Sequence, residues 1–170
     1  MDPASHLRTG RLLLRPVAAH DLADLLPFKA DPRAYATILG GVRSAMQTVH
    51  ELAHDVAFWG ARGYGIWTVR RVGDEAFLGI TGLMEREDGR GIALRFAFRP
   101  EVRGKGYASE AAGAALRFGH DRGLARIVAV AKESNIASRQ VLGAIGMRQC
   151  AAFPRDGERM LVYESVRPAR

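Results

Sequence analysis

A short stretch with two glycines, placed between an apolar run and a helical run, constrains the fold of this chain most. Residues 103–108 read Arg-Gly-Lys-Gly-Tyr-Ala. The apolar run 92–98 before them has the length of a strand, and the run 109–120 after them has apolar residues at helical spacing. The order strand, glycine turn, helix directs backbone N–H groups and the positive end of a helix dipole at one point. This order predicts a site for a phosphate or pyrophosphate group.

The same residues are compatible with an ordinary basic surface turn, and they do not match two common nucleotide motifs. A Walker A loop has four residues between its glycines and then Lys followed by Ser or Thr. The dinucleotide fingerprint has a third glycine and, about twenty residues later, an acidic residue. Residues 103–108 and the sequence after them have neither pattern. The predicted anion site is therefore not of the type that holds ATP or NAD.

A second segment, about thirty residues further on, decides between these interpretations. Residues 127–131 read as a short buried strand, and Asn135-Ile136-Ala137-Ser138 then opens a helical run that closes at Gly146-Met147. Together the two segments resemble the acyl-CoA-binding half of the GNAT family of N-acetyltransferases. In that resemblance, 103–108 match the family's pyrophosphate motif and 135–138 match its second motif.

The opening of the chain narrows the resemblance to one branch of the family. Residues 9–16, Thr-Gly-Arg-Leu-Leu-Leu-Arg-Pro, look like the first strand of the ribosomal-protein serine/alanine N-acetyltransferase-like branch. The resemblance implies a single α/β (α+β) domain over residues 8–166, with 1–7 and 167–170 as short tails. It implies a mixed central sheet of about seven strands, mostly antiparallel with one splayed parallel pair, and helices on both faces.

The resemblance also implies that acetyl-CoA is the acetyl donor, and it implies the residues that hold it. Backbone N–H groups of the glycine turn would bind the pyrophosphate, and main-chain groups of the preceding strand would bind the pantetheine arm. Asn135 would position the arm from the other side, although such a residue also caps helices. The cofactor-binding residues expected on this basis are Phe96, Ala97, Phe98, Val102, Arg103, Gly104, Lys105, Gly106, Tyr107, Ala108, Asn135 and Ser138.

The implied reaction is direct transfer of the acetyl group to a primary amine, on a protein N-terminus or a small molecule. Many relatives protonate the leaving thiolate with a Tyr seven residues after the motif Asn; here Leu142 stands there, and Ser138 is the substitute in this branch. The strand before the glycine turn has no carboxylate to act as base, so Glu85 is the first candidate, before Glu87 and Glu158. A non-catalytic CoA-binding module is the alternative function.

Residues 50–54 spell H-E-x-x-H, the string with which zinc proteases bind their metal from a helix. The third ligand that one protease class needs would be Glu75, but that residue lies beside a predicted hairpin turn. We therefore expect no metal and interpret His50 and His54 as ordinary helix residues near the acceptor. Tyr35, Phe58 and Trp59 are the residues expected to line the acceptor pocket.

Composition limits the partners and the compartment. The net charge is +7, but all except three of the 25 basic residues are arginines scattered along the chain. This pattern favours a polyanionic cofactor and predicts no nucleic-acid partner. No apolar run is long enough for a membrane span, and the single cysteine, Cys150, excludes an intrachain disulfide, so we expect a cytoplasmic protein without a membrane partner. An exposed final hairpin would suit a homodimer.

Overall fold

One mixed sheet organises the protein, and helices pack on both of its faces. The computed structural model describes residues 3–168. The strands are β1 (Leu7–Arg8), β2 (Leu12–Pro16), β3 (Ile66–Arg71), β4 (Phe77–Glu85), β5 (Ile92–Phe98), β6 (Arg126–Lys132), β7 (Arg148–Arg155) and β8 (Glu158–Val166). The α-helices are α1 (Leu22–Ala30), α2 (Pro32–Tyr35), α3 (Ala45–Arg62), α4 (Tyr107–Asp121) and α5 (Ile136–Ala144).

The strands follow the order β1-β2-β3-β4-β5-β6-β8-β7 across the sheet. Every neighbouring pair is antiparallel except β5 and β6, which are parallel and are joined in register only at Ala93 and Val128. Beyond that point the two strands diverge. The expected sheet is confirmed, including its splayed parallel pair. The eighth strand is the two-residue β1, which is too short to give a sequence signal.

Residues 3–8, most of which the sequence assigned to a tail, pack on the sheet. Residues 3–5 form one turn of 3₁₀ helix, and the buried Ser5 accepts a hydrogen bond from the indole of Trp67 at 2.7 Å through its carbonyl oxygen. Leu7 then pairs with Leu14 of β2. The helix α2 was also not expected, since four residues after Asp31-Pro32 give no helical period.

The helix α4 covers one face of the sheet, and α1 covers the other. Ala111 and Ala115 of α4 are fully buried, and a Cβ on Gly119 would lie 2.7 Å from the side chains of Leu83 and Ile127. This small-residue face brings α4 close to β4 and β6. On the other face, Arg70 of β3 binds the carboxylates of Asp21 and Asp24 at the start of α1.

The helix α3 has a clear start and end. Ser44 and Gln47 form a reciprocal capping box at its N-terminus, and Gly63, with φ of 71°, closes it. Its Trp59 donates a hydrogen bond to the carbonyl oxygen of Ile66 at 2.7 Å, which fixes α3 against the start of β3. Within residues 3–168, the helices are too short or too polar to cross a bilayer.

Candidate active site

The divergence of β5 and β6 leaves main-chain groups of β5 without a strand partner. The N–H of Arg99 donates to the carbonyl oxygen of Leu78, on the β4 side. Because backbone groups alternate in direction along a strand, those of Phe98 and Phe96 point toward the opening, whereas those of Ala97 point toward β4. Two of the three expected pantetheine contacts on β5 therefore present their N–H and C=O groups to the opening.

The glycine turn lies directly after β5, at the open end of the splayed pair. Gly104 and Gly106 have φ of 76° and 79°, a left-handed conformation that costs glycine least, and Gly106 is the N-cap of α4. The first amides of a helix have no intrahelical acceptor. Within residues 3–168, no group accepts a hydrogen bond from the amides of 104–109. These N–H groups and the helix dipole can bind an anion here.

A bracing contact from the N-terminal strands holds this turn. Arg11 donates from Nη1 to the carbonyl oxygen of Lys105 at 2.8 Å and from Nε to Glu110 at 2.7 Å. The hydroxyl of Thr9 also donates to Glu110, at 2.5 Å. Burial opposes ionisation of Glu110, but the hydrogen bonds from Thr9 and Arg11 outweigh it and lower its pKa. The turn between β1 and β2 therefore fixes the glycine turn from about a hundred residues away in the chain.

The basic side chains of the turn have different roles. The guanidinium of Arg103 donates to the carbonyl oxygen of Arg33 at 2.6 Å, so this side chain ties the turn to α2. Lys105 is exposed, and its ammonium takes part in no ion pair within residues 3–168. Tyr107 is buried under the guanidinium of Arg11, which lies 4.5 Å from its ring centroid. Val102 and Ala108 are partly buried against the core.

Asn135 lies at the start of α5, on the β6 side of the opening. Its Oδ1 accepts a hydrogen bond from the N–H of Ser138 at 3.1 Å, so it caps the helix. The other half of its amide, the NH₂ group, has no acceptor among residues 3–168. Capping and a role toward a ligand are therefore compatible, because they use different atoms. Leu142 is buried in the core and supplies no proton donor.

Glu85 is not brought to this opening. It lies at the end of β4 opposite Ile92, whereas the open half of β5 begins about four residues further on, roughly 13 Å away at 3.3 Å per residue. Its carboxylate is exposed and pairs with Arg62 at 3.0 Å. Glu87 lies in the exposed loop after β4. Glu158 pairs with Lys132 at 2.7 Å, at the end of β6 nearest Asn135.

On the other side of β5, the helices α1, α2 and α3 enclose a cluster of charged side chains that the sequence did not reveal. Lys29, with 4% of its side chain exposed, donates to Glu51 at 2.7 Å. Arg43 binds the second oxygen of Glu51. Burial opposes both charges, yet Glu51 helps to raise the pKa of Lys29, and the two cations lower the pKa of Glu51.

Arg43 also shapes the loop between α2 and α3, residues 36–44. Its guanidinium donates to the carbonyl oxygens of Leu39 and Gly41, and its backbone N–H donates to that of Lys29 at 2.8 Å. The guanidinium lies 5.3 Å from the ring centroid of Tyr35, which is buried at the end of α2. Since α2 is bound to the glycine turn through Arg103, this loop begins beside the open half of β5.

The environment of Tyr35 gives a second indication that the cluster adjoins β5. Burial raises the pKa of Tyr35, and the positive charges of Lys29, Arg43 and Arg95 act in the opposite direction. Arg95 is the exposed residue of β5 next to Phe96. Two of the residues expected to line the acceptor pocket are buried. Tyr35 lies beside the charged cluster, and Trp59 is part of the core.

Asp55 lies one helical turn after Glu51 and is also mostly buried. Its carboxylate is 13% exposed and has His54 Nδ1 at 3.5 Å. Burial raises its pKa, while Lys29 and His54 act in the opposite direction. The glutamate of the H-E-x-x-H string is occupied by Lys29 and Arg43, and residues 3–168 contain no group of three or more potential ligands placed to hold a metal.

Comparison with known proteins agrees with this geometry. The model of the acetyltransferase (GNAT) domain matches residues 11–148. The uncharacterized protein YkkB of Bacillus subtilis is 27% identical over 172 aligned residues, covering 96% of this chain and 97% of YkkB. The structure of an acetyltransferase from Agrobacterium tumefaciens is 30% identical with a TM-score of 0.82, and the match covers 94% of this chain and 93% of that one.

A second similar structure contains bound coenzyme A. It is the ribosomal L7/L12 alpha-N-protein acetyltransferase RimL in complex with coenzyme A; it is 16% identical with a TM-score of 0.76, and the match covers 93% of this chain and 95% of RimL. At that identity the likeness concerns the fold. The fold and the match over most of the sequence together show that this chain belongs to the GNAT acetyltransferase family and is an acetyl-CoA-dependent N-acetyltransferase.

Proposed function

We propose that the protein transfers the acetyl group of acetyl-CoA directly to a primary amine while both substrates are bound at the opening between β5 and β6. The observation that carries this proposal is the position of unpaired backbone groups on one path. The amides of 104–109 would bind the pyrophosphate. The pantetheine arm would then follow β5 as an added strand, bonded to Phe96 and Phe98, with the free NH₂ of Asn135 on its other side.

In this arrangement the thioester lies between β5 and α5, and the amine approaches from the side of the 36–44 loop. The amine nitrogen attacks the thioester carbonyl carbon, the C–S bond breaks, CoA leaves as a thiolate, and the nitrogen releases one proton to solvent as the amide forms. An N–H of β5 near Phe98 stabilises the oxyanion of the tetrahedral intermediate. Ser138 contacts CoA and donates a proton to the sulfur, although a thiolate of pKa about 8.5 leaves with little help.

Direct transfer is supported by the location of the only thiol. A two-step reaction through an acetyl-cysteine would need Cys150 at the opening. Cys150 is exposed on β7, with β8 between that strand and β6. Two strand spacings of about 4.8 Å separate β7 from β6. A free, exposed thiol also agrees with a cytoplasmic location.

The acceptor that we propose is a primary amine on a protein N-terminus or a small molecule. A protein N-terminus is the acceptor named for RimL. The pH dependence distinguishes the two kinds of amine, because attack needs the neutral form. An α-amino group titrates near pH 8 and an alkylamine near pH 10.4. The kcat/KM for an N-terminal peptide should therefore level off above about pH 8, whereas that for an alkylamine should rise through the whole range to about pH 10.

The experiment that tests the proposed function combines binding with turnover. Acetyl-CoA is titrated calorimetrically, and release of free CoA thiol is then followed with a panel of N-terminal peptides and alkylamines. We expect binding of acetyl-CoA and acceptor-dependent thiol release, with lines that intersect when both substrates are varied. Parallel lines would contradict a ternary complex. Binding with no thiol release for any amine would contradict the transferase function and favour a CoA-binding module.

A further inference from the structure

The outward face of α3 carries no charged side chain from Ala45 to Ala61. In a chain of which 25% is charged, this is a large neutral surface. The charged residues of α3 before Arg62 are Glu51 and Asp55, and both turn inward to the cluster around Lys29. The exposed residues of this face are Ala45, Met46, Gln47, Val49, His50, Ala53, His54, Val56, Ala57, Gly60 and Ala61.

The same face concentrates the exposed hydrophobic side chains of the protein. Within residues 3–168, six large hydrophobic residues are exposed, and four of them lie on α3 or directly before it. Met46 is the most exposed of these, with 71% of its surface accessible. Val49 and Val56 also lie on this face, and Val42 is in the loop that leads into α3. Monomeric proteins rarely leave such residues together on one surface, so a clustered set indicates a contact site.

The spacing on this face suits a second helix of the same sequence. Met46, Val49, Ala53, Val56 and Gly60 follow one another at intervals of three, four, three and four residues, which is the 3.5-residue repeat of a helix–helix seam. If a second copy of α3 crosses antiparallel with Ala53 on the two-fold axis, Val49 faces the partner's Ala57 and lies one residue, about 1.5 Å along the helix, from the level of the partner's Val56. Met46, the largest side chain of the seam, then lies opposite the partner's Gly60, the smallest.

The neutral α3 face allows a second copy to bind despite the positive charge of the protein. Each copy has a formal charge of +7, so two copies repel wherever their basic surfaces face each other. The α3 face avoids that repulsion because it is neutral over the 17 residues from Ala45 to Ala61, about 26 Å of helix. The sheet edge at β7 is less suitable, since Arg148 and Arg155 stand at its two ends and would face each other in an antiparallel pair.

We propose that the protein forms a two-fold symmetric homodimer through the outward face of α3, with Met46, Val49, Ala53, Val56 and Gly60 as its seam. The interface is isologous, so each copy contributes the same surface. It leaves the opening between β5 and β6 free in both copies, because the seam is on the opposite side of α3 from Glu51 and Asp55. This inference does not depend on the identity of the amine acceptor.

Sedimentation velocity of the full chain at pH 8 tests the dimer. We expect wild type to be dimeric at micromolar concentration, and added salt to strengthen the association because it screens repulsion between the two positive copies. Val49→Glu and Val56→Glu should each raise the Kd at least roughly a hundredfold, since every dimer then buries two unpaired carboxylates. Val166→Glu, at a more exposed hydrophobic residue on β8, should leave the Kd unchanged.

A crosslinking experiment tests the position of the axis. In a Cys150→Ser background, Ala53→Cys should form an intermolecular disulfide under mild oxidation, whereas Ala61→Cys, on the side of the helix away from the seam, should not. Because both positions are exposed, the variants should keep the unfolding temperature and acetyl-CoA binding of wild type. A monomeric wild type, or a dimer that Val49→Glu and Val56→Glu leave intact, would overturn the proposal.

Discussion

The two sides of the β5–β6 opening present different chemical groups. The donor side, formed by β5, the glycine turn, α4 and the start of α5, offers backbone N–H and C=O groups. The acceptor side, formed by α1, α2, the 36–44 loop and α3, is organised by charged side chains buried against each other. Because every residue has the same backbone groups, the donor side can bind one cofactor whatever its side chains are. A substitution in a side-chain cluster, by contrast, changes the chemical groups that the cluster presents. The acceptor side is therefore where specificity can vary.

The largest effect that we expect comes from the donor side. Gly106→Val adds a β-branched side chain at φ of 79°, directly among the amides that would bind the pyrophosphate. Calorimetric titration should show acetyl-CoA affinity reduced by at least about a hundredfold. Gly157→Val is the matched control, since Gly157 has φ of 76° in the β7–β8 turn, where a Cβ meets nothing within 4 Å. It should cost a similar strain and leave binding intact; equal losses in the two variants would contradict the anion site.

The next largest effect should come from the acceptor side. Glu51→Ala leaves the buried Lys29 without its counterion, which should lower the free energy of unfolding by about 3–5 kcal/mol, measured with urea. Glu85→Ala breaks an ion pair with side chains 51% and 57% exposed and should cost at most about 1 kcal/mol. If the two variants lose the same stability, the cluster is not the organising feature of this side.

Glu51 should also make the stability of the protein depend on pH. The pKa of Glu51 is lowered from its usual 4.5 in the folded protein, so its contribution is fully present above that value and is lost as the pH falls through the folded pKa. The stability difference between wild type and Glu51→Gln should therefore shrink as the pH falls below about 4.5. Urea unfolding at a series of pH values measures it, and a constant difference would contradict the assignment.

Asn135 allows capping and cofactor contact to be separated. Asn135→Ala removes both the cap and the NH₂ group. It should lower the free energy of unfolding by about 1 kcal/mol and also lower kcat/KM for acetyl-CoA. Asn135→Ser retains a capping oxygen and removes the NH₂ group. It should keep the stability of wild type and still lose kcat/KM. A variant Asn135→Ser with full activity would show that this residue serves the helix alone.

Substitution of Asp55 should raise the stability of the protein, whereas substitution of Glu51 should lower it. Burial raises its pKa, so the ionised form destabilises the folded protein at neutral pH. Asp55→Asn should therefore raise the unfolding temperature at pH 7, and the gain should disappear under acidic conditions in which the wild-type carboxyl is protonated. Differential scanning calorimetry at the two pH values measures it. A loss of stability at pH 7 would mean that the carboxylate has a partner that compensates its burial.

The smallest effect should be that of Glu85→Gln. Glu85 lies at the closed end of the parallel pair and pairs with Arg62 in solvent, so we expect kcat/KM within about twofold of wild type. A large loss of kcat, with normal acetyl-CoA affinity, would show that Glu85 reaches the amine despite its position at the end of β4. The thiol-release assay with the best acceptor of the panel measures it.

The donor side could be predicted from the sequence because its signals are local. A strand, two glycines and a helix within 92–121 determine where backbone amides converge, and this segment alone places the glycine turn at Gly104 and Gly106. The acceptor side could not be predicted in this way. Lys29, Arg43 and Glu51 come from three separate segments, and no periodic pattern relates them. The expected pocket residue Trp59 is instead in the core, because its indole reaches the carbonyl of Ile66.

The sequence by itself determined the parallel crossover through α4 and the location of the turn, since these depend on hydrophobic periodicity and on glycine's access to positive φ. The class of fold followed from the resemblance of its motifs to those of the GNAT family. Only the tertiary structure decided which charges are buried and which face of α3 is neutral. It also showed that Thr9 and Arg11 brace a turn about a hundred residues away, and that Glu85 is remote from the opening. Such facts depend on contacts between distant segments, which form only when the sheet aligns them.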